Sequence, residues 1–195
     1  MRPIVEFPEE DFDRVMAVNI RGTFLGMKYV LPRMREGGSV VNMSSALGLV
    51  GGAGIVAYVA SKHAIIGMTK TAVLEQGPRG IRVNAAAPGP IAGRMTFKLA
   101  DEVFAGSKKT FAARVPLGRH GTPEDVAGLV SFLLSDDSSY ATGTTHSVDG
   151  GFTAWRLKDL VTQRPRMGIT TVRPGAHPAR TGPFGPDVGV VEIRS

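Results

Sequence analysis

The chain contains no cysteine. That absence excludes disulfides, thiolate catalysis and cysteine-ligated metal sites, and it fits a reducing cytoplasm. Histidine is scarce. His63, His120, His146 and His177 stand far apart, without the close spacing of metal ligands, and each reads as surface or loop. No run of eighteen apolar residues occurs, so no membrane span is expected. The chain does not open on the charged, apolar and small-residue succession of a secretory signal.

What is present suits one domain: 195 residues with an ordinary apolar fraction of 43%, enough to build a core. The net charge of +6 raises the question of nucleic acid, but its placement argues against that partner. Residues 1–154 hold 16 basic and 14 acidic side chains, and residues 155–195 hold 7 and 3, so most of the excess lies in the last 41 residues. There the basic residues are not interleaved with aromatic stacking platforms. This tail carries five prolines and five glycines with little periodicity, a composition that favours a loose segment over a packed one. Two regions are therefore expected, an α/β domain over 1–154 and a Pro/Gly/Arg-rich tail over 155–195.

Apolar periodicity outlines the first region. Phe12, Val15, Met16, Ile20, Phe24 and Met27 recur at helical spacing and predict one long helix over 9–35, ended by Gly37-Gly38. Gly22 and Gly26 within it would let another backbone come close. Residues 39–44 read as a short strand, apolar enough to be buried on both faces. A glycine-rich loop leads to a second long helix, 57–75, closed by Gly77-Pro78. Residues 81–85 read as a strand, stopped by Pro88-Gly89-Pro90. One or two helices are expected around 98–112. Thr122-Pro123-Glu124-Asp125 is a helix start with threonine as N-cap, and that helix runs to about 134. A last strand, 144–148, ends at Asp149-Gly150-Gly151. Strands alternating with helices predict a parallel α/β sheet of about three strands with flanking helices.

On this frame one constellation carries chemistry. Tyr58 and Lys62 stand four residues apart on a predicted helix, one turn, so both project from one face. Ser45 lies thirteen residues before Tyr58, just past a predicted strand. A free tyrosine has a pKa of about 10 and is a poor base at neutral pH. A lysine ammonium held one turn away favours the phenolate. A serine hydroxyl can hold a substrate oxygen against the phenol. The set suits proton transfer at a carbinol or carbonyl.

The neighbouring segments sharpen this reading. Gly38-Ser-Val-Val-Asn42-Met-Ser44-Ser45 precedes the pair and Ile81-Arg-Val-Asn84-Ala-Ala-Ala-Pro88-Gly89 follows it. Val18-Asn19-Ile-Arg-Gly22 lies upstream, and Ser147-Val-Asp149-Gly150-Gly151 closes the region. In order and spacing these segments resemble the second part of a short-chain dehydrogenase/reductase over residues 4–154. The resemblance implies a partial doubly wound, Rossmann-like fold and an NAD(P)-dependent oxidoreductase of the 3-oxoacyl-carrier-protein reductase type. Its substrate would be a small-molecule secondary alcohol or ketone. Tyr58 would be the acid/base, Lys62 would favour its phenolate and hold the nicotinamide ribose, and Ser45 would orient the substrate oxygen. Asn19 would hold a water that relays protons from Lys62. Pro88, Gly89 and Ile91 would form the turn against the nicotinamide, with Gly93 where the family usually has threonine. No metal, nucleic acid or membrane is implied. A homo-oligomer built on the two long helices is expected of an intact member.

The family's glycine-rich phosphate loop has no counterpart in this sequence. Gly48-Leu-Val-Gly51-Gly52-Ala-Gly54 has the wrong spacing for it and reads as a loop beside the substrate. Binding of NAD or NADP by this chain alone is thus an open expectation. A truncated, inactive fragment or pseudoenzyme acting only as an interaction partner stands as the alternative. Ser44 competes with Ser45 as the active hydroxyl, and the thirteen-residue offset favours Ser45. Asn42 and Asn84 are expected to tie strands and loops.

Overall fold

The computed structural model describes residues 1–94, 96–97 and 112–154. The helices expected around 98–112, except for their final residue, and the tail over 155–195 lie outside the described residues.

Helix α1 (Glu9–Met16) begins directly after Pro8 with Glu9, Glu10 and Asp11 in its first turn, where carboxylates complement the helix dipole. The helical path continues through a π-helical turn (Ala17–Arg21) into α2 (Gly22–Val30) and a closing 3-10 turn (Leu31–Arg33). The expected single helix is therefore one continuous path with a widened turn. It ends earlier than expected, after Pro32, where Met34 turns extended. Arg79 caps that end, its guanidinium donating to the carbonyls of Leu31 at 2.8 Å and Met34 at 2.6 Å. The close approach expected at Gly22 and Gly26 is absent: among the described residues nothing lies within 4 Å of where a Cβ on either would sit.

Three strands, β1 (Ser39–Met43), β2 (Arg82–Pro88) and β3 (Thr145–Val148), form a parallel sheet in the order β1-β2-β3. Val41 lies opposite Asn84, and Ala86 opposite His146. Central β2 is buried from Arg82 through Ala87, whereas Met43 on β1 is 45% exposed. This corrects the expectation that the first strand is buried on both faces. An apolar run shows that a strand is covered somewhere, but not that it stands at a sheet edge.

Alternate residues of β2 face opposite layers. Val83 packs with Leu31, Ala72 and Ile81, against Met27, Met34, Val40 and Val73. That layer contains α3 (Val56–Gln76), whose buried residues Ala57, Ser61, Ile65, Thr69 and Ala72 form one stripe. Arg82 faces the other layer, α4 (Pro123–Leu134), which opens with a capping box between Thr122 and Asp125. Asn42 donates to the Thr69 hydroxyl at 2.9 Å, and Asn84 donates to the Ala141 carbonyl at 2.7 Å. These two asparagines tie strands to their surroundings.

Candidate active site

In a parallel sheet all C-terminal strand ends open on one side, the side where α/β folds place ligands. Here those ends carry Ser44-Ser45 after β1, Pro88-Gly89 after β2 and Asp149-Gly150 after β3. The first turns of α3 bring Tyr58 and Lys62 to the β1 end.

Lys62 is the best-defined contact between these elements. Its Nζ donates to the Met43 carbonyl at 3.0 Å and stands 5.5 Å from the centroid of the Tyr58 ring. Burial lowers the Lys62 pKa from its ordinary value, since desolvation penalises the ammonium. An ammonium has three donors, so the Met43 bond leaves two for other acceptors.

The two serines are engaged differently. Ser44 Oγ donates to the Lys62 carbonyl at 2.9 Å, which commits its hydrogen. Ser45 Oγ instead accepts the Leu47 N–H at 3.1 Å and caps the 3-10 turn Ala46–Gly48. As acceptor in that bond, the Ser45 hydroxyl keeps its hydrogen for a further oxygen. The geometry thus favours Ser45 over Ser44 as a donor to substrate.

Asn19 sits in the π-helical turn, a distortion frequent at functional sites. Its side-chain amide donates to Ser61 Oγ at 3.0 Å, and Ser61 Oγ donates to the Tyr58 carbonyl at 2.8 Å. The Asn19 carbonyl accepts from Thr23 Oγ1 at 2.7 Å. Asn19 is thereby tied to the turn that carries Tyr58 and Lys62, through a residue the sequence reading passed over. The signal was available: Ser61 is a lone small polar residue beside Lys62 on the otherwise apolar start of the α3 stripe.

The turn after β2 packs against the end of β3. A Cβ on Gly89 would lie 2.6 Å from the Cα of Asp149, so contact with the β3 end already requires glycine there. Gly89 N–H donates to the Val148 carbonyl at 3.1 Å. Ile91 bridges to Gly121. Pro90 and Ile91 line a cavity of about 540 Å³ together with Val115, Leu117, Val148 and Asp149. Asn19, Ser45, Tyr58 and Lys62 are not among its lining residues, so the cavity and the tyrosine–lysine pair are separate features.

Asp149 closes this end of the sheet. Burial pushes its pKa up, but bonds from the Thr153 hydroxyl at 2.6 Å, the Thr153 N–H at 2.9 Å and the Gly151 N–H at 2.9 Å outweigh that and hold it below the ordinary value. It serves the turn expected from the sequence. Among the described residues no group of three or more acidic, histidine or cysteine side chains could hold a metal ion, and no helix is long and apolar enough to cross a membrane.

Comparison with known proteins gives consistent matches. Residues 1–153 match a family model described as enoyl-(acyl carrier protein) reductase. The chain is 47% identical over 150 residues to the 3-oxoacyl-[acyl-carrier-protein] reductase of Thermotoga maritima, covering 76% of this chain and 59% of that protein. It is 44% identical to the (3R)-3-hydroxyacyl-CoA dehydrogenase of Mus musculus, covering 76% of this chain and 57% of that protein. Among solved structures it resembles levodione reductase with a TM-score of 0.75 and 39% identity, covering 78% and 62% of the two chains. It also resembles ElxO with NADP bound, with a TM-score of 0.73 and 36% identity, covering 80% and 63%. The chain thus spans about three-fifths of the length of the relatives it matches.

Proposed function

The chain belongs to the short-chain dehydrogenase/reductase family, and from that membership we propose that it works as an NAD(P)-dependent oxidoreductase on a secondary alcohol or ketone. A 3-oxoacyl or 3-hydroxyacyl thioester is the favoured substrate class, in line with the names of the relatives. The observation that carries the proposal is the Lys62 ammonium, anchored on the Met43 carbonyl and set 5.5 Å from the Tyr58 ring.

The nicotinamide cofactor supplies or accepts the hydride when bound. The residues present fit part of such a group. Lys62 retains two donors for ribose hydroxyls, and the Tyr58 hydroxyl can share in the same contact. Pro88, Gly89 and Ile91 lie at the C-terminal end of the central strand, where the family holds the nicotinamide. At Gly89 packing against Asp149 also accounts for the glycine.

The proton chemistry belongs to the chain. In reduction Ser45 donates a hydrogen bond to the carbonyl oxygen of the substrate and fixes it against Tyr58. The Tyr58 hydroxyl gives its proton to that oxygen as the alcohol forms. The Lys62 ammonium, 5.5 Å from the Tyr58 ring centroid, supplies positive charge beside the phenol as its proton leaves. Asn19, tied through Ser61 to the same turn, holds the water from which the proton is restored. Oxidation runs these steps in reverse.

Removing the acid/base tests this directly. Tyr58→Phe is expected to lower kcat by about 10²–10⁴-fold, the usual scale of general acid–base catalysis, with an unchanged circular dichroism spectrum. Retention of wild-type turnover in Tyr58→Phe would refute the assignment.

A second reading rests on β1. Among the described residues its outer edge pairs with no other strand, and Met43 is 45% exposed. An open edge of this kind is a template for pairing with another polypeptide. A chain that only docks on a partner would keep this edge without turnover.

A further inference from the structure

We propose that Ser44 is a positioning residue, the clasp that sets Lys62 at a fixed depth beside Ser45. The role rests on the oxidoreductase reading above for its purpose, and on geometry alone for its existence. Ser44 is buried at the end of β1, and its backbone N–H donates to the Ala86 carbonyl of β2 at 2.8 Å. From that fixed base its hydroxyl reaches across to the Lys62 carbonyl at 2.9 Å. In return Lys62 Nζ donates to the Met43 carbonyl at 3.0 Å. One residue of α3 is thus held twice by two adjacent residues, at its backbone by Ser44, just past β1, and at its side-chain tip by Met43, the last residue of β1.

The clasp is closed over by Gly48. A Cβ there would lie 2.4 Å from Ser44 Oγ and 2.9 Å from the Lys62 carbonyl oxygen, so only glycine lets the loop after Ser45 cover this bond. Because Ser45 follows Ser44 directly, the bond fixes the strand-borne hydroxyl and the helix-borne amine in one frame. A displacement of about 1 Å between such groups can cost about a hundredfold in rate.

The groups facing Lys62 Nζ are the Met43 carbonyl from β1 and the Tyr58 ring from α3. Among the described residues no ion pair joins a carboxylate to Lys62. Its titration therefore reports how deeply the amine is held.

The test follows Lys62 by NMR in protein carrying ¹³Cε-labelled lysine, with Lys62→Arg to assign the signal, in the full chain and in Ser44→Ala, Ser44→Cys and Ser44→Thr. Ser44→Cys keeps the side-chain volume with a weak donor, in case Ser44→Ala does not fold. Ser44→Thr keeps the hydroxyl. In the unsubstituted chain Lys62 is expected to titrate below the ordinary lysine value. In Ser44→Ala or Ser44→Cys it should move up toward the ordinary lysine value, and in Ser44→Thr it should return toward the wild-type value. With turnover measured in parallel, kcat should fall about tenfold or more in the first two variants, the KM for cofactor should change less than twofold, and Ser44→Thr should restore much of the loss.

An unchanged Lys62 titration in a folded Ser44→Ala or Ser44→Cys would overturn the clasp. Equal losses in Ser44→Thr and Ser44→Ala would overturn it as well, because the hydroxyl would then not matter. If the unsubstituted chain shows no turnover with any nicotinamide and substrate, the oxidoreductase reading fails, and the titration alone still decides the clasp.

Discussion

At the scale of single residues, the described structure separates groups that do chemistry from groups that hold position. Arg119 and Asp125 belong to the second kind. The guanidinium donates to the two carboxylate oxygens at 2.6 and 3.1 Å. That bond, together with the Thr122 N–H, holds the Asp125 carboxyl at about 2, against an ordinary value of 3.8. A carboxylate whose pKa is depressed on folding stabilises the fold above its unfolded pKa, and that contribution is lost as the pH falls toward its folded value. The window is therefore pH 4 down to about 2. Because both side chains are substantially exposed, the effect should shrink at high salt. Thermal unfolding of Asp125→Asn against the parent chain checks this. The melting temperatures should differ near neutral pH and converge as the pH falls through that window, and a gap that stays constant down to pH 2 would contradict the assignment.

The same scale shows what could be read from residues alone. Tyr58 and Lys62 stood out as a pair because a four-residue interval on a helix fixes a shared face, whereas Ser45 was marked by its place just past a strand and Asn19 by the family resemblance alone. Ser61 was not picked out and Ser44 was weighed only as a rival active hydroxyl, since their bonds go to backbone carbonyls of α3, and a bond to a carbonyl leaves no mark in the partner's residue type. Gly89 was legible as a position needing glycine, but its protein neighbour, Asp149, lies 60 residues away in sequence and becomes its neighbour only through sheet pairing.

At the scale of elements, the alternation of strands and helices was enough to foresee the parallel sheet. The long helix over 9–35 was legible from its apolar stripe. Its widened turn at Ala17–Arg21 was not, because one extra residue in a turn barely disturbs such a stripe. The apolar run of β1 did not by itself mark an edge, since Val40 and Val41 suit an edge strand and a central strand equally. Arg82 shows how packing between elements overrides residue type. A charged residue in a central strand is unexpected, yet Arg82 is buried and bonds the Leu133 carbonyl at 2.8 Å, the Ser138 hydroxyl at 2.8 Å and the Ser135 carbonyl at 2.9 Å. It fastens the start of β2 to the C-terminal end of α4, where helix carbonyls lack intrahelical partners. Replacing it with methionine keeps much of the bulk and removes three charge-assisted bonds, leaving the Leu133 and Ser135 carbonyls with only the serine hydroxyls of Ser39 and Ser138. Arg82→Met should cost about 3 kcal/mol in denaturant unfolding. A loss under about 0.5 kcal/mol, the range of neutral surface changes, would mean that the guanidinium holds nothing.

At the scale of the whole molecule, the described fold is a three-stranded parallel sheet between helical layers, with the tyrosine–lysine pair at the C-terminal end of an edge strand. Parallel sheets are ordinarily covered and extended on both sides, and the open side of β1 adjoins the proposed site. Whether the residues described here bind nicotinamide as they stand is therefore the question on which the proposed activity turns. Isothermal titration of the purified 195-residue chain with NADH and with NADPH answers it. The proposal predicts that one of the two binds with a Kd of about 1 mM or tighter, within the usual range of enzyme affinities, and that Lys62→Ala weakens that binding about tenfold. A chain that is folded by circular dichroism and yet takes up neither cofactor at millimolar concentration would contradict the claim that it is an oxidoreductase by itself.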